Sequence, residues 1–157
     1  LSSLKRADAL IFTKTNLMEP DDFLNKTIKS AGKSYFSSTL EAENPISLDG
    51  EPLSIKQEIK AVALSAIADS KGFITTLKKL NVEVVGHLDY VDHYNYKQAD
   101  VEQIARRVKK FNVKIVITTE KDMIKLAPLD HLGIKIYSVK ASFCMKKKAV
   151  KKLLDLI

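Results

Sequence analysis

Residues 60–88, "KAVALSAIADSKGFITTLKKLNVEVVGHL", hold two strand patterns separated by one helix pattern, and this order indicates the fold class. Residues 60–67 form a nearly continuous apolar run, which is typical of a strand buried on both faces of a sheet. Apolar residues then recur at helical spacing, at Phe73, Ile74, Leu77 and Leu80. Residues 82–88 are again strand-like. This order predicts two parallel strands joined by a helical crossover.

Downstream, the alternation of strands and helices continues to the end of the chain. The sequence predicts a helix over 99–111, a strand over 113–118, a short helix over 120–126 and the last strand over 134–139. The first of these helices has an apolar stripe of Val101, Ile104, Ala105 and Val108. A C-terminal helix is predicted to carry on one side Val150, Leu153, Leu154 and Ile157.

Upstream of residue 60 the predicted elements are shorter. A strand over 7–14 is followed by a helix, which Pro20, Asp21 and Asp22 open, and by a strand over 33–40. The apolar side of that helix consists of Phe23, Leu24 and Ile28. Turn residues surround a brief "ISL" segment at 46–48. The whole pattern predicts an α/β fold with a largely parallel sheet and flanking helices. We expect one domain or fragment over 1–157, with residues 33–59 as a candidate β-ribbon or linker excursion.

Length and composition are those of a globular protein. The chain has 157 residues, and no apolar run approaches the roughly 20 residues that a transmembrane helix needs. The one cysteine, Cys144, excludes an internal disulfide and a cysteine-rich metal site, which favours a reducing, cytoplasmic setting. The formal net charge of +7 indicates an anionic partner. Nucleic acid, a phosphorylated substrate and an acidic membrane surface all satisfy that charge.

The "AGKS" motif at 31–34 is similar to the end of a phosphate-binding P-loop, but its context differs. The P-loop pattern requires a glycine where this chain has Thr27. In addition, a helix precedes Gly32 and a strand follows it, whereas a P-loop joins a strand to a helix. We therefore predict that Gly32 ends a helix and that Lys33 makes no phosphate contact.

The segment "ITTEKDMIKL" at 117–126 joins a buried strand to a capped helix. Thr119 and Asp122 fit the capping box, which places a helix N-terminus directly after the strand. Ligands gather at such positions in open α/β sheets, because free backbone N–H groups and the helix dipole face the crevice. Two interpretations stay open: a well-capped helix without a ligand, or nucleotide or substrate binding by Thr119, Glu120, Lys121 and Asp122.

The segment 141–154 carries five lysines on the predicted C-terminal helix. They lie opposite its apolar residues, as on a solvated face, and their charge would also attract acidic lipid headgroups. No aromatic residues are interleaved with these lysines, as a base-stacking surface requires. The segment therefore disfavours a nucleic-acid partner.

The connection "DYVDHYNYK" at 89–97 places Asp92 beside His93 between a predicted strand and a predicted helix. A histidine accepts protons near neutral pH, and a nearby carboxylate can orient it and raise its basicity. The pair is either a structural contact or the proton-accepting part of a catalytic site. His87 and Asp89 lie on the strand, apart from this pair, and no second ligand cluster exists in the sequence. We therefore predict no metal site.

Two stretches, "VALSAIADSKGFITTLKKLNVEVVGHLDYVDHYNY" at 62–96 and "IVITTEKDMIKL" at 115–126, resemble the C-terminal half of the tetraacyldisaccharide 4'-kinase family. "RADALIFTK" at 6–14 is similar to the segment with which that family re-enters its sheet. The resemblance implies the C-terminal part of a P-loop kinase-like fold. It also implies a lipid A biosynthesis kinase that transfers the γ-phosphate of ATP to the 4'-hydroxyl of a tetraacyldisaccharide 1-phosphate.

The resemblance implies roles for individual residues. His93 matches the family's general base, a role shared with an aspartate of the N-terminal half, and Asp92 would orient it or shape the site. ATP and Mg²⁺ would bind mainly to that N-terminal half, whose P-loop would precede Leu1, so the fragment alone would be inactive. The implied partners are the lipid substrate, ATP and the anionic inner-membrane surface, without nucleic acid. The implied location is the cytoplasmic face of the bacterial inner membrane, for a fragment that is itself soluble.

The chain departs from the family pattern in the loop after residue 65. The family usually has Ser-Gly-Ile-Gly-Asn-Pro where this chain has "SAIADS" at 65–70, so Ala66 and Ala68 replace two glycines. Val91 stands where the family usually has proline before the Asp-His pair. The alternative function is a free-standing basic α/β domain that binds nucleic acid.

Overall fold

Strands and helices alternate along the chain of the computed structural model, which describes residue 4 and residues 6–18 and 21–156. In chain order the elements are β1 (Ala9–Phe12), α1 (Asp22–Ala31), β2 (Ser34–Ser37), β3 (Thr39–Ala42), β4 (Ile46–Ser47), β5 (Ile59–Ser65), α2 (Ser70–Lys79), β6 (Val82–Asp89), α3 (Gln98–Lys110), β7 (Ile115–Thr119), α4 (Glu120–Leu126), β8 (Lys135–Val139), β9 (Ala141–Cys144) and α5 (Lys147–Leu154). Pro20 and Ile157, predicted to belong to helices, lie outside the described residues. The described residues form two compact units, one from Ala42 to Lys140 and the other from the segments before and after it.

The unit from Ala42 to Lys140 is built on a main sheet with the strand order β4, β8, β7, β5, β6. The pairs β8–β7, β7–β5 and β5–β6 are parallel, whereas β4 runs antiparallel to β8. Strands β5 and β7 lie inside this order, which explains their nearly continuous apolar sequences. The predicted α/β class with a largely parallel sheet is confirmed.

Alternate residues of β5 point to opposite faces of the main sheet and pack into two different clusters. Each cluster includes helices, so both faces of the sheet are covered. Val62 and Leu64 belong to the cluster that contains α3 and α4. Ala61 and Ala63 belong to the cluster that contains α2. The predicted apolar stripe of α3 is confirmed, with buried side chains at Val101, Ile104 and Val108. Burying one such large side chain contributes about 1.5–3 kcal/mol relative to leaving it exposed, so these clusters fix the helices on the sheet.

In the second unit, β1 and β2 form a parallel pair, and α1 lies between them in the chain. Asp21 caps α1 by accepting a hydrogen bond from the Leu24 N–H at 2.7 Å. Gly32 follows α1 with a left-handed φ of 62°, and its N–H donates to the Lys29 carbonyl. Glycine favours this conformation because it has no Cβ. The prediction that "AGKS" contains a helix C-terminus is therefore confirmed.

Two strand predictions are wrong. The strand predicted over 33–40 is divided into β2 and β3 at Ser38, whose buried N–H donates to the Phe12 carbonyl at 2.7 Å. The strand predicted over 134–139 is not the last, because β9 follows β8 and pairs with β3. Three of the four β9 residues are exposed, so this segment lacks the alternation of a half-buried strand.

The predicted apolar helix faces of the second unit are only partly buried. In α1, Ile28 is buried, whereas Phe23 and Leu24 are exposed. In α5, no side chain is fully buried, and Val150 and Leu154 are exposed. None of the helices in the described part of the chain is both long enough and apolar enough to cross a membrane.

Candidate active site

The carboxyl ends of β5, β6 and β7 meet at one edge of the main sheet, because these strands are parallel neighbours. Residues 66–69 follow β5, residues 90–97 follow β6, and β7 leads directly into α4. The His93 N–H donates to the Ala66 carbonyl at 3.3 Å, so the first two loops are joined. In open α/β sheets this edge is where ligands bind. The candidate catalytic residues therefore lie at the edge expected to hold a ligand.

Asp92 and His93 form a turn in the loop after β6. Nε2 of His93 lies 3.8 Å from Oδ2 of Asp92, and Oδ1 of that carboxylate accepts a hydrogen bond from the His93 N–H at 3.0 Å. The His93 side chain is 79% exposed and that of Asp92 is 49% exposed, so a substrate can reach both. The structure brings the predicted pair together, and its catalytic role stays a prediction.

The main chain of His93 is left-handed, with a φ of 62°. A residue other than glycine in this region costs on the order of 1–3 kcal/mol and persists only where surrounding contacts hold it. Here the Ala66 carbonyl and the Asp92 carboxylate hold the His93 N–H, and the Tyr94 N–H donates to the Val91 carbonyl. Strained residues of this kind cluster at active sites. His93 is one of five described non-glycine residues with positive φ, and of these it is the one that follows a strand at the carboxyl edge of the main sheet.

Three tyrosines of the same loop pack against one another. The ring centroids of Tyr90, Tyr94 and Tyr96 lie 4.6, 5.2 and 5.3 Å apart. The Tyr94 hydroxyl donates to the Asp100 carboxylate at 3.1 Å, and the same carboxylate accepts from the Lys97 N–H at 2.7 Å. Aromatic pairs contribute about 0.5–1.5 kcal/mol each beyond their burial. This cluster, for which the sequence suggested no role, anchors the loop to the first turn of α3.

Burial and nearby carboxylates raise the pKa of these phenols. Burial is the largest cause for Tyr90, Tyr94 and Tyr96. The next cause is Asp100 for the first two and Asp122 for Tyr96. The three hydroxyls therefore stay protonated at neutral pH and do not serve as bases.

Thr119 begins α4 as the capping box predicted. Its hydroxyl accepts from the Asp122 N–H at 3.2 Å and donates to Oδ2 of Asp122 at 2.7 Å. The fully buried Asp122 also accepts from the Ala66 N–H at 3.0 Å. Glu120 and Lys121 are exposed, so they are the members of this segment that are open to a ligand. Nucleotide or substrate binding by the segment stays a prediction.

Oδ1 of Asp122 and the Tyr96 hydroxyl are both buried. Within the part of the chain that the structure describes, neither atom has a hydrogen bond of good geometry. Hydrogen bonding and charge from Asp122 nevertheless contribute to the raised pKa of Tyr96. The phenol and the carboxylate are therefore close to each other but are not aligned as a hydrogen bond.

A separate polar group lies at the ends of β5 and β6. Oγ of Ser65 is 2.8 Å from Nε2 of His87, and the Asp89 carboxylate accepts from the Ser70 hydroxyl at 2.8 Å. Ser65 is fully buried, so it is not available as a nucleophile. Among the described residues, no three His, Cys, Asp or Glu side chains are grouped to hold a metal ion. This polar group joins the strands to α2, which is a structural role.

Alanine fits the loop after residue 65. Ala66 and Ala68 do not occur among the described non-glycine residues with positive φ, so neither position requires glycine. Asp69 then caps α2 by accepting from the Gly72 N–H at 2.9 Å. The departure from the family's glycines is therefore compatible with a well-formed strand-to-helix connection.

Comparison with known proteins gives consistent results. A family model described as "LpxK: Tetraacyldisaccharide-1-P 4'-kinase" matches residues 1–157. The tetraacyldisaccharide 4'-kinase of Koribacter versatilis is 29% identical over 93% of this chain, and that of Desulfatibacillum aliphaticivorans is 30% identical over 85%. The chain spans 41% and 38% of the lengths of these two relatives.

A solved structure shares the fold. It is the "apo" form of LpxK from Aquifex aeolicus in complex with ATP, with a TM-score of 0.56 to this chain. The two proteins are 22% identical, and the match covers 99% of this chain and 43% of the other. At this identity the likeness shows the fold alone. The family model, by contrast, covers the chain from end to end, so the chain belongs to the tetraacyldisaccharide-1-P 4'-kinase family.

Proposed function

We propose that this chain forms part of a lipid A biosynthesis kinase that transfers the γ-phosphate of ATP to the 4'-hydroxyl of a tetraacyldisaccharide 1-phosphate. Membership of the family suggests the reaction. The single observation that supports a role in it is His93, which is exposed and left-handed at the ligand-binding edge of the main sheet.

The reaction needs a group that accepts the proton of the sugar hydroxyl. The 4'-oxygen forms a bond to the γ-phosphorus, the bond between that phosphorus and the oxygen of the leaving ADP breaks, and the hydroxyl proton passes to Nε2 of His93. Asp92, whose Oδ2 lies 3.8 Å from this nitrogen, stabilises the imidazolium that forms. Both side chains are open to solvent, so the acceptor sugar can approach them directly.

ATP and Mg²⁺ are proposed to bind mainly to residues of the whole protein that lie outside this chain. Gly32 of "AGKS" ends a helix and does not form a phosphate loop. Among the described residues, no three His, Cys, Asp or Glu side chains are grouped to hold a metal ion by themselves. We therefore expect the 157-residue chain by itself to show no ATP-dependent phosphorylation of the disaccharide.

The test of the proton acceptor is His93→Ala in the whole protein. We expect kcat to fall about 10²–10⁴-fold, the usual contribution of general base catalysis, and the KM for ATP to change little. His87→Ala is the matched control, because it removes an imidazole that contacts Ser65 and is only 24% exposed. It should lower the melting temperature and leave kcat of the folded protein near the original value. Full turnover by a folded His93→Ala protein would reduce the Asp92–His93 pair to a structural contact.

We also propose that the protein works at the anionic, cytoplasmic face of the bacterial inner membrane. The start and body of α5 expose five lysines, Lys146, Lys147, Lys148, Lys151 and Lys152. Val150 and Leu154 are exposed on the same helix. Each lysine near an anionic lipid surface contributes about 1 kcal/mol of attraction. A substrate with four acyl chains resides in such a surface, so this attraction would bring the enzyme to it.

Vesicle co-sedimentation of the whole protein tests the membrane proposal. Lys151→Glu with Lys152→Glu should weaken binding to phosphatidylglycerol-containing vesicles about tenfold or more, since each lost lysine removes attraction. The control, Lys109→Glu with Lys110→Glu in α3, makes the same charge change at exposed positions of the other unit. Equal weakening in both variants would contradict a specific role for α5. Salt-sensitive retention of mixed oligonucleotides, lost with the α5 variant, would favour the alternative of nucleic-acid binding.

A further inference from the structure

The main chain of one residue, Ala66, connects the loops at the carboxyl edge of the main sheet. The Ala66 N–H donates to Oδ2 of Asp122 at 3.0 Å, and the Ala66 carbonyl accepts from the His93 N–H at 3.3 Å. Ala66 is 3% exposed and Asp122 is 0% exposed, so water does not compete for the bond between them. A path of hydrogen bonds therefore runs from the first turn of α4 to the main chain of His93.

Oδ2 of Asp122 accepts two hydrogen bonds, one from Ala66 and one at 2.7 Å from the Thr119 hydroxyl. That hydroxyl also caps α4 by accepting from the main-chain N–H of residue 122. Oδ1 of Asp122 is buried and has no hydrogen-bond partner among the described residues, an arrangement that destabilises a folded protein. The carboxylate is therefore stabilising through Oδ2, which holds Ala66 and the Thr119 hydroxyl, and destabilising through Oδ1.

A second contact from α4 reaches the same loop. Nζ of Lys125 donates to the Tyr94 carbonyl at 2.8 Å. Tyr94 directly follows His93, so α4 holds the loop at two successive residues, through Ala66 at His93 and through Lys125 at Tyr94. His93, whose φ is 62°, is therefore held by these contacts and also by the Asp92 carboxylate.

We propose that Asp122 is a positioning residue for His93 and acts through Ala66 without touching the substrate. The inference rests on the proposed function, because it concerns the same proton acceptor. By holding the Ala66 N–H, Asp122 restrains the residue whose carbonyl accepts from the His93 N–H, and with it the direction in which the imidazole leaves the turn. Misplacement of a reacting group by about 1 Å lowers rates on the order of a hundredfold, so loss of this link acts on kcat.

Three variants of the whole protein separate positioning from stability. Asp122→Ala removes the acceptor and should lower kcat about 10–100-fold with the KM for ATP within about twofold. Asp122→Asn keeps an oxygen that accepts from Ala66 and should restore most of that loss. Leu126→Ala is the control, because it empties a fully buried position of α4 without altering the bond to Ala66. It should lower the melting temperature and leave kcat of the folded protein unchanged.

Amide hydrogen exchange gives a measurement that does not depend on turnover. In Asp122→Ala the N–H groups of Ala66 and His93 should exchange about tenfold faster or more, relative to β5, because the Ala66 bond is lost and the turn that holds the His93 N–H is no longer restrained through Ala66. In Asp122→Asn and Leu126→Ala their rates relative to β5 should stay near the original. Should Asp122→Ala not fold, Asp122→Ser takes its place, since its hydroxyl lies one bond nearer the main chain and does not reach Ala66.

The outcomes distinguish this proposal from the proposed function. Unchanged exchange at Ala66 and His93 in a folded Asp122→Ala protein would overturn the positioning role. An Asp122→Asn protein as slow as Asp122→Ala would also overturn it, because the charge rather than the hydrogen bond would then matter. If the unmodified protein itself shows no turnover, the kinase proposal fails, while the exchange rates still decide whether Asp122 positions His93.

Discussion

At position 93 the glycine variant should be more stable than the alanine variant, which is the reverse of the usual order. Both substitutions remove an imidazole that is 79% exposed and therefore lose little packing. Alanine keeps a left-handed residue, which costs roughly 1–2 kcal/mol, whereas glycine adopts the φ of 62° freely. Glycine loses about 0.5–1 kcal/mol more through its flexible unfolded state. The difference should leave His93→Gly about 0.5–1 kcal/mol more stable than His93→Ala.

Urea unfolding of the two variants, followed by circular dichroism, measures this difference. Asn95 supplies the control, because it is exposed in the same loop and does not occur among the described residues with positive φ. At that position glycine should be less stable than alanine by about 0.5–1 kcal/mol. If alanine is the more stable substitution at both positions, His93 is not left-handed in solution, and the argument from strain fails.

Three further predictions concern other parts of the chain. Gly86→Ala should destabilise the protein by about 1–3 kcal/mol in urea unfolding, because the added Cβ would lie 2.5 Å from the Phe111 ring; Phe111→Leu should recover part of the loss. Tyr96→Phe should reduce the loss of stability above about pH 10. Burial and Asp122 raise the pKa of Tyr96, so this phenol ionises at lower pH in the unfolded chain than in the folded one. Above about pH 10 the free energy of unfolding therefore falls by about 1.4 kcal/mol per pH unit for one such group. If urea titrations at several pH values give Tyr96→Phe the same dependence of unfolding free energy on pH, the prediction is contradicted. Lys33→Ala in the whole protein should leave the KM for ATP within about twofold in steady-state assays, and a hundredfold rise would restore the phosphate-contact interpretation of "AGKS".

The main sheet is predictable from sequence because its inner strands are buried on both faces. Residues 61–66 are all buried, so the apolar run that predicts β5 is a direct consequence of its place in the sheet. The helices are predictable for a related reason, since α3 keeps Val101, Ile104 and Val108 on one covered face. Where strands and helices are well buried, the spacing of apolar residues therefore predicts them.

The peripheral strands are not predictable in the same way. Most of β9 is exposed, and no apolar alternation marks a strand whose side chains face solvent. The break at Ser38 depends on a hydrogen bond to the Phe12 carbonyl, which lies 26 residues earlier in the chain. Strand propensity and the spacing of apolar residues describe residues that are close in the chain, so they do not predict contacts between distant ones.

The candidate site is predictable in its side chains but not in its geometry. Asp92 and His93 are identifiable by residue type and by their place after a predicted strand. The capping box identifies Thr119 and Asp122 as the start of α4, which the structure confirms. The bond from Asp122 to Ala66 joins residues 56 positions apart, and the left-handed φ of His93 leaves no pattern in residue types. Both features depend on how three loops meet, which only the folded chain determines.

The strain at His93 and the bonds that hold it are of similar size. A left-handed residue costs on the order of 1–3 kcal/mol, and one hydrogen bond contributes about 0.5–1.5 kcal/mol net. The His93 N–H is shared between the Ala66 carbonyl and the Asp92 carboxylate, so neither contact alone offsets the strain with a margin. Loss of the Ala66 contact should therefore relax the turn, whereas the main sheet stays folded around fully buried side chains such as Leu64 and Ile117. Relaxation of the turn and unfolding of the main sheet are therefore separate events. In Asp122→Ala the turn at His93 should relax at urea concentrations well below those that unfold the main sheet.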